Sequence, residues 1–116
     1  MATVHVKRVY EDASDEDGYR VLVDRVWPRG LSKEAAHVDE WVKEAGPSTE
    51  LRTWFGHRPE RFAEFARRYR DELDGSMPLS HLRDLVADHD VVTLVYSARD
   101  EEHNQAVVLA DVLRGS

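Results

Sequence analysis

The 116-residue chain has no cysteine. That excludes disulfides, thiolate zinc sites and a cysteine nucleophile, and it fits a reducing compartment. No apolar run approaches the roughly 20 residues that cross a bilayer. The opening stretch MATVHVKRV lacks the apolar segment of a secretory signal and reads directly as a strand. A cytoplasmic protein without a membrane partner is therefore expected. The formal net charge is −7, whereas a general nucleic-acid binder presents a basic face. The balance argues against extended nucleic-acid binding. The six histidines are scattered, with neither HExxH nor a paired HxH, so no metal site is assigned. There is no glycine-rich phosphate loop, dinucleotide fingerprint or assignable Ser-His-Asp set, and hence no assigned cofactor.

What is present is the composition of a folded domain. Hydrophobic residues make up 41% and charged residues 34% of the chain, and the length suits one core and one α/β domain over 1–116. Of the 16 basic residues, 13 are arginine. Arginine suits bidentate recognition of carboxylate and phosphate, although a GC-rich coding sequence gives the same bias.

The hydropathy pattern orders the elements. Val4, Val6 and Val9 alternate with polar residues, which predicts a strand. The acidic loop 11–18 leads to a second strand over 19–24, whose Val21-Leu22-Val23 run is typical of a buried strand. Trp27-Pro28-Arg29-Gly30 breaks regular structure. Ser32 then caps a predicted helix carrying Ala35, Val38, Trp41, Val42 and Ala45, with a short strand over 37–42 as the competing reading. Ser48 caps a short helix through Trp54 and Phe55. Pro59 opens a helix whose Phe62, Phe65, Ala66, Tyr69 and Leu73 form one stripe. Another helix begins near Ser76 and Pro78. Val91 to Tyr96 is the most apolar strand, and Asp100 or Glu101 is expected to start the last helix. This order predicts a small, mostly parallel sheet of three or four strands flanked by helices. So thin a core leaves room for a homodimer that covers an exposed face.

In such sheets ligands bind beyond the carboxyl ends of the strands. The second strand delivers Asp24, Arg25, Arg29 and Lys33, and the strand over 91–96 delivers Tyr96, Arg99, Asp100 and Asn104. Together they suggest a site for a small phosphate- or carboxylate-bearing ligand. Asp24 and Asp100 are the acid/base candidates. Each residue also has a plainer reading. Asp24 can pair with Arg25 or Arg29 to fix the turn, Trp27 and Pro28 can be packing, and Asp100 can cap the last helix. Trp27, Trp54, His57 and Tyr69 are secondary candidates. The alternative function is a non-catalytic module that binds nucleic acid or a protein partner, suggested by the arginines and Trp54-Phe55. No reaction type follows from either reading.

Four strings carry a resemblance: RVLVDRVWPRGLSK at 20–33, DEWVKEAGPSTELRTWFGH at 39–57, RFAEFARRYRDEL at 61–73 and VTLVYSARDEEHNQAVVLADVL starting at Val92. On these the chain resembles the YeaO-like branch of the domain of unknown function 488 family, nearly end to end. The resemblance implies an α/β fold and a bacterial or archaeal cytoplasmic protein. It singles out Asp24, Arg25, Trp27, Pro28, Arg29, Gly30, Trp54, Phe55, His57, Tyr69, Glu72, Tyr96, Arg99, Asp100 and Asn104. Longer members of the wider family carry cysteines near the last loop. This chain has none, so thiol chemistry does not extend to it. Relatives labelled as transcription regulators find no helix-turn-helix counterpart here.

Overall fold

In the computed structural model, which describes residues 2–115, four parallel strands form one sheet in the order β1-β4-β2-β3. Met1 and Ser116, the ends of the expected 1–116 domain, lie outside the described residues. The strands are β1 (Thr3–Arg8), β2 (Tyr19–Leu22), β3 (Glu40–Trp41) and β4 (Val91–Tyr96). β4 is central and pairs with β1 on one side and β2 on the other. Alternation along the strands sends Val4, Val21, Val92, Leu94 and Tyr96 to one face, where they join the main core.

That face is covered by α2 (Thr49–Phe55), α3 (Phe62–Leu73), α4 (Met77–Asp88) and α5 (Gln105–Leu113). Three of these start on a side-chain cap. Ser48 accepts from the Leu51 amide at 3.2 Å, Ser76 from Leu79 at 3.3 Å and Asn104 from Val107 at 3.1 Å. α3 buries Phe65, Tyr69 and Leu73 from the expected stripe. The opposite face has a thinner cover. There Leu22 and Val95 pack under Ala36 of α1 (Lys33–Ala36), with Trp27, Leu31 and Val38 around them. The rest of this face is polar. The buried Arg20 guanidinium lies 2.5 Å from Asp17, and the Thr93 hydroxyl donates to the Asp17 carbonyl. The motive for a homodimer, a bare apolar face, therefore does not arise there.

Two element boundaries differ from expectation. The helix expected from Ser32 to Ala45 stops at Ala36, because His37 takes a left-handed conformation (φ 51°). The Asp39 and Val42 amides then bond the Arg20 and Leu22 carbonyls, so Glu40–Trp41 forms β3 on the β2 edge. The competing strand reading was the right one. The last helix begins at Gln105 and not at Asp100, because extended Asn104 is its cap and Asp100 closes the turn before it.

The connections after β2 and β4 leave these neighbouring strands toward opposite faces. After β2 the chain crosses to α1 on the thin side, and after β4 it enters α5 on the helical side. A crevice must open between such loops at the carboxyl edge.

Candidate functional site

A cleft of about 670 Å³ lies at that edge. Its walls come from the loop after β2 (Asp24, Arg25, Val26), from α2 and its flanks (Pro47, Arg52, Phe55, His57), from Phe65 of α3, and from the 97–105 segment after β4.

Asp24 ties the site together. It is 8% exposed, and both carboxylate oxygens are occupied. One accepts from the Ser97 amide at 2.9 Å and the Ser97 hydroxyl at 2.6 Å, and the other accepts from the Gln105 side-chain amide. Burial pushes its pKa up, against the hydrogen bonds from Ser97 and Gln105 that favour the charged form. The ion pair foreseen between Asp24 and Arg25 or Arg29 does not form among the described residues. Arg8 of β1 steadies the same loop by donating to the Ala98 carbonyl at 2.9 Å.

Three arginines from three segments reach the cleft: Arg25, Arg52 and Arg99. The Arg25 Nε donates to the Gly46 carbonyl at 3.1 Å, which fixes its guanidinium. A Cβ on residue 46 would stand 2.9 Å from the Arg25 Cγ, so glycine is what lets this side chain lie flat. Among the described residues the Arg52 guanidinium hydrogen-bonds the Thr49 hydroxyl of its own helix at 3.3 Å and acts through space on Asp24, and Arg99 is exposed. Among the described residues none of the three has a carboxylate within ion-pair distance. Arg20, Arg67 and Arg68, by contrast, are each neutralised by a carboxylate.

Asp100 is half-buried and committed locally. Its carboxylate accepts from the Glu102 and His103 amides at 2.9 and 3.0 Å and pairs with the His103 ring at 2.9 Å. The Glu102 amide and the His103 contacts hold its pKa below the usual carboxylate range. Asn104 spends its side chain on the Asp100 carbonyl and the Val107 amide. Neither acidic group is free of partners, and the Ser97 hydroxyl is likewise a donor to Asp24. Among the described residues no three histidine or acidic side chains are grouped to hold a metal ion.

The structure thus brings Asp24, Arg25, Phe55, His57, Arg99, Asp100 and Asn104 to one cleft and leaves the other expected residues out of its lining. Arg29 and Lys33 are exposed beyond the Trp27 turn, where Tyr10 donates to the Arg29 carbonyl. Tyr96 points into the core beside Leu94, where burial raises its pKa. Trp27 donates to the Leu31 carbonyl at 2.6 Å as part of the thin layer. Trp54 lies beneath Arg61 and Arg68, whose guanidiniums are 5.2 and 4.3 Å from its ring. Tyr69 is fully buried and donates to the Ala45 carbonyl. Sequence reasoning missed Arg52; it placed Gln105 at the start of the last helix beside Asn104 without giving it a role. The one available signal was that Arg52 adjoins Leu51 on the margin of the apolar stripe of α2.

The model of the family described as "Inactive DUF488-N3 subclade" matches residues 3–116. The uncharacterized protein Rv3073c of Mycobacterium tuberculosis (strain ATCC 25618 / H37Rv) is 50% identical over 112 residues, covering 97% of this chain and 94% of that protein. The uncharacterized protein YeaO of Escherichia coli (strain K12) is 46% identical over 112 residues, covering 96% of each. No solved structure matches significantly. The chain belongs to the inactive DUF488-N3 subclade.

Proposed function

We propose that this member of the inactive DUF488-N3 subclade binds a small anionic molecule in the cleft between the β2 and β4 loops, without transforming it. The observation that carries the reading is the presence of Arg25, Arg52 and Arg99 in one cleft, with no carboxylate among the described residues within ion-pair distance of any of them. The whole chain carries −7. Three guanidiniums against two lining carboxylates, Asp24 and Asp100, give this concave site a local excess of positive groups, and guanidinium geometry matches phosphate and carboxylate oxygens.

Binding without chemistry is supported by the state of the two acidic groups. Asp24 and Asp100 are both engaged as acceptors, so neither offers a free base. The family description, inactive, agrees with this reading. The alternative role as a nucleic-acid module has less support, because the Trp54 ring is already engaged by the Arg61 and Arg68 guanidiniums and the chain's net charge is −7. The cysteine-free composition and the bacterial relatives support the cytoplasm as the setting.

A thermal-shift series with phosphate, sulfate, citrate and phosphate esters at low salt tests the proposal. A ligand present at 100 times its Kd adds about 2.7 kcal/mol of stability. That stabilisation is expected in the wild type and is expected to vanish in Arg25→Gln and Arg52→Gln. Equal stabilisation of wild type and both variants removes the site.

A further inference from the structure

The lining of the cleft says more about the ligand than its sign. We infer that the ligand is a phosphate monoester that also bears an aromatic ring, and not inorganic phosphate, a sugar phosphate without such a ring or a carboxylate. This rests on the anion-binding reading above.

Three observations carry it. The first is the number and origin of the cations. Arg25, Arg52 and Arg99 come from a strand end, a helix and a second loop, so three separate segments bring cations to one cleft. A carboxylate has two oxygens and one charge. A phosphate monoester has three terminal oxygens and nearly two charges at neutral pH, which suits three guanidiniums.

The second is size. The cleft holds about 670 Å³, within the range of roughly 300–1,000 Å³ that encloses drug-sized ligands. A bare anion would leave most of it to water.

The third is the apolar part of the lining. Phe55, Phe65 and Pro47 line the same cleft, with the two phenyl rings stacked 4.3 Å apart. His57 stands at the rim, its ring 6.2 Å from Phe55. Its position comes from two successive left-handed residues, Gly56 (φ 54°) and His57 (φ 56°). That conformation is uncommon for a residue other than glycine, and here it leaves an exposed imidazole at the mouth of the cleft. Phe55 (5% exposed), Phe65 (1%) and Pro47 are themselves buried and give this end only its apolar floor, so a flat ring lies with its face on the exposed His57 imidazole while the ester phosphate meets the arginines.

Calorimetric titration of the full chain at low salt decides the matter. The probes are phenyl phosphate, adenosine 5′-monophosphate, ribose 5-phosphate, inorganic phosphate and benzoate. At least one of the two aromatic phosphates is expected to bind tenfold or more tightly than each of the other three. His57→Ala, an exposed change, is expected to weaken that aromatic phosphate threefold or more and to leave ribose 5-phosphate unchanged. Arg52→Gln is expected to weaken both. Ribose 5-phosphate or inorganic phosphate binding within tenfold of both aromatic phosphates overturns the ring requirement while anion binding stands. Benzoate within tenfold overturns the phosphate requirement. Unchanged aromatic-phosphate affinity in His57→Ala removes the proposed seat of the ring. No binding by any probe overturns both this inference and the anion-binding reading.

Discussion

Asp24→Ala withdraws one carboxylate from three donors at once: the Ser97 amide, the Ser97 hydroxyl and the Gln105 side chain. Hydrogen bonds to a charged acceptor contribute about 1.5–3 kcal/mol each, and a buried donor left alone costs about 1–3 kcal/mol. Two effects offset this. Ser97 and Gln105 line an open cleft, so water reaches part of what is exposed. The burial cost that raises the Asp24 pKa also disappears with the carboxylate. The expected net loss is about 2–3 kcal/mol, a large share of the roughly 5–15 kcal/mol that holds a domain folded. In urea, with a slope of about 1–3 kcal/mol/M, the midpoint falls by about 1–2 M. Asp24→Asn keeps the shape and one acceptor oxygen and avoids burying a charge, so it costs about 1 kcal/mol. The two variants also separate in pH. Because the folded state holds the Asp24 proton more tightly than the unfolded chain does, this group's contribution is fully present below the ordinary carboxylate pKa. It is lost as pH rises through the raised folded value. Asp24→Asn removes that slope. An alanine variant within about 0.5 kcal/mol of wild type, or an asparagine variant as damaged as alanine, would refute the idea that Asp24 ties the two loops together.

Gly46→Ala places a methyl group 2.9 Å from the Arg25 Cγ and 3.2 Å from the Val23 carbonyl. It should weaken anion binding by about tenfold, the worth of one charge-assisted contact, without removing a charge; unchanged calorimetric affinity rules out this seating of Arg25. Arg20 is buried and donates to His37, Asp17 and Ala36. A lysine ammonium cannot span all three, so Arg20→Lys should cost about 3–5 kcal/mol in urea unfolding, and a loss below about 1 kcal/mol counts against a fixed ion pair under β2. His81 bonds Glu40 and holds its pKa below the usual value, so the Glu40 contribution is present above the ordinary carboxylate pKa and lost as pH falls through the lowered one. This partly exposed pair is worth less than about 1 kcal/mol. Glu40→Gln should flatten the acid limb of stability, and an unchanged limb excludes the clasp between β3 and α4.

The strands were legible because parallel, doubly covered strands read as apolar runs, as Val21-Leu22-Val23 and Val91–Tyr96 do. Two consecutive strand ends therefore led to Asp24, Arg25, Arg99, Asp100 and Asn104. Tyr96 was taken for a site residue, although period-two alternation with Val92 and Leu94 sends it to the core. Arg29 and Lys33 were misplaced for a topological reason: past Trp27 and Pro28 the chain crosses to the other face, which no local pattern announces. β3 was hard to read because two residues carry no period. Its existence depends on carbonyls offered by β2, a tertiary fact. Arg52 depends on how α2 is set beside the β2 loop, and the bond from Gln105 to Asp24 on how the two loops are packed together.

The most direct test of the central claim is a map of where an anion binds. In a ¹H–¹⁵N correlation titration of the full chain with phenyl phosphate at low salt, saturable shifts are expected in three segments: 24–26, 46–57 and 97–105. The Nε–H signals of Arg25 and Arg52 should move with them. Saturable shifts centred instead on the edge groove around Trp41, Met77 and His81, or no saturable shifts at all, contradict the arginine cleft as the binding site.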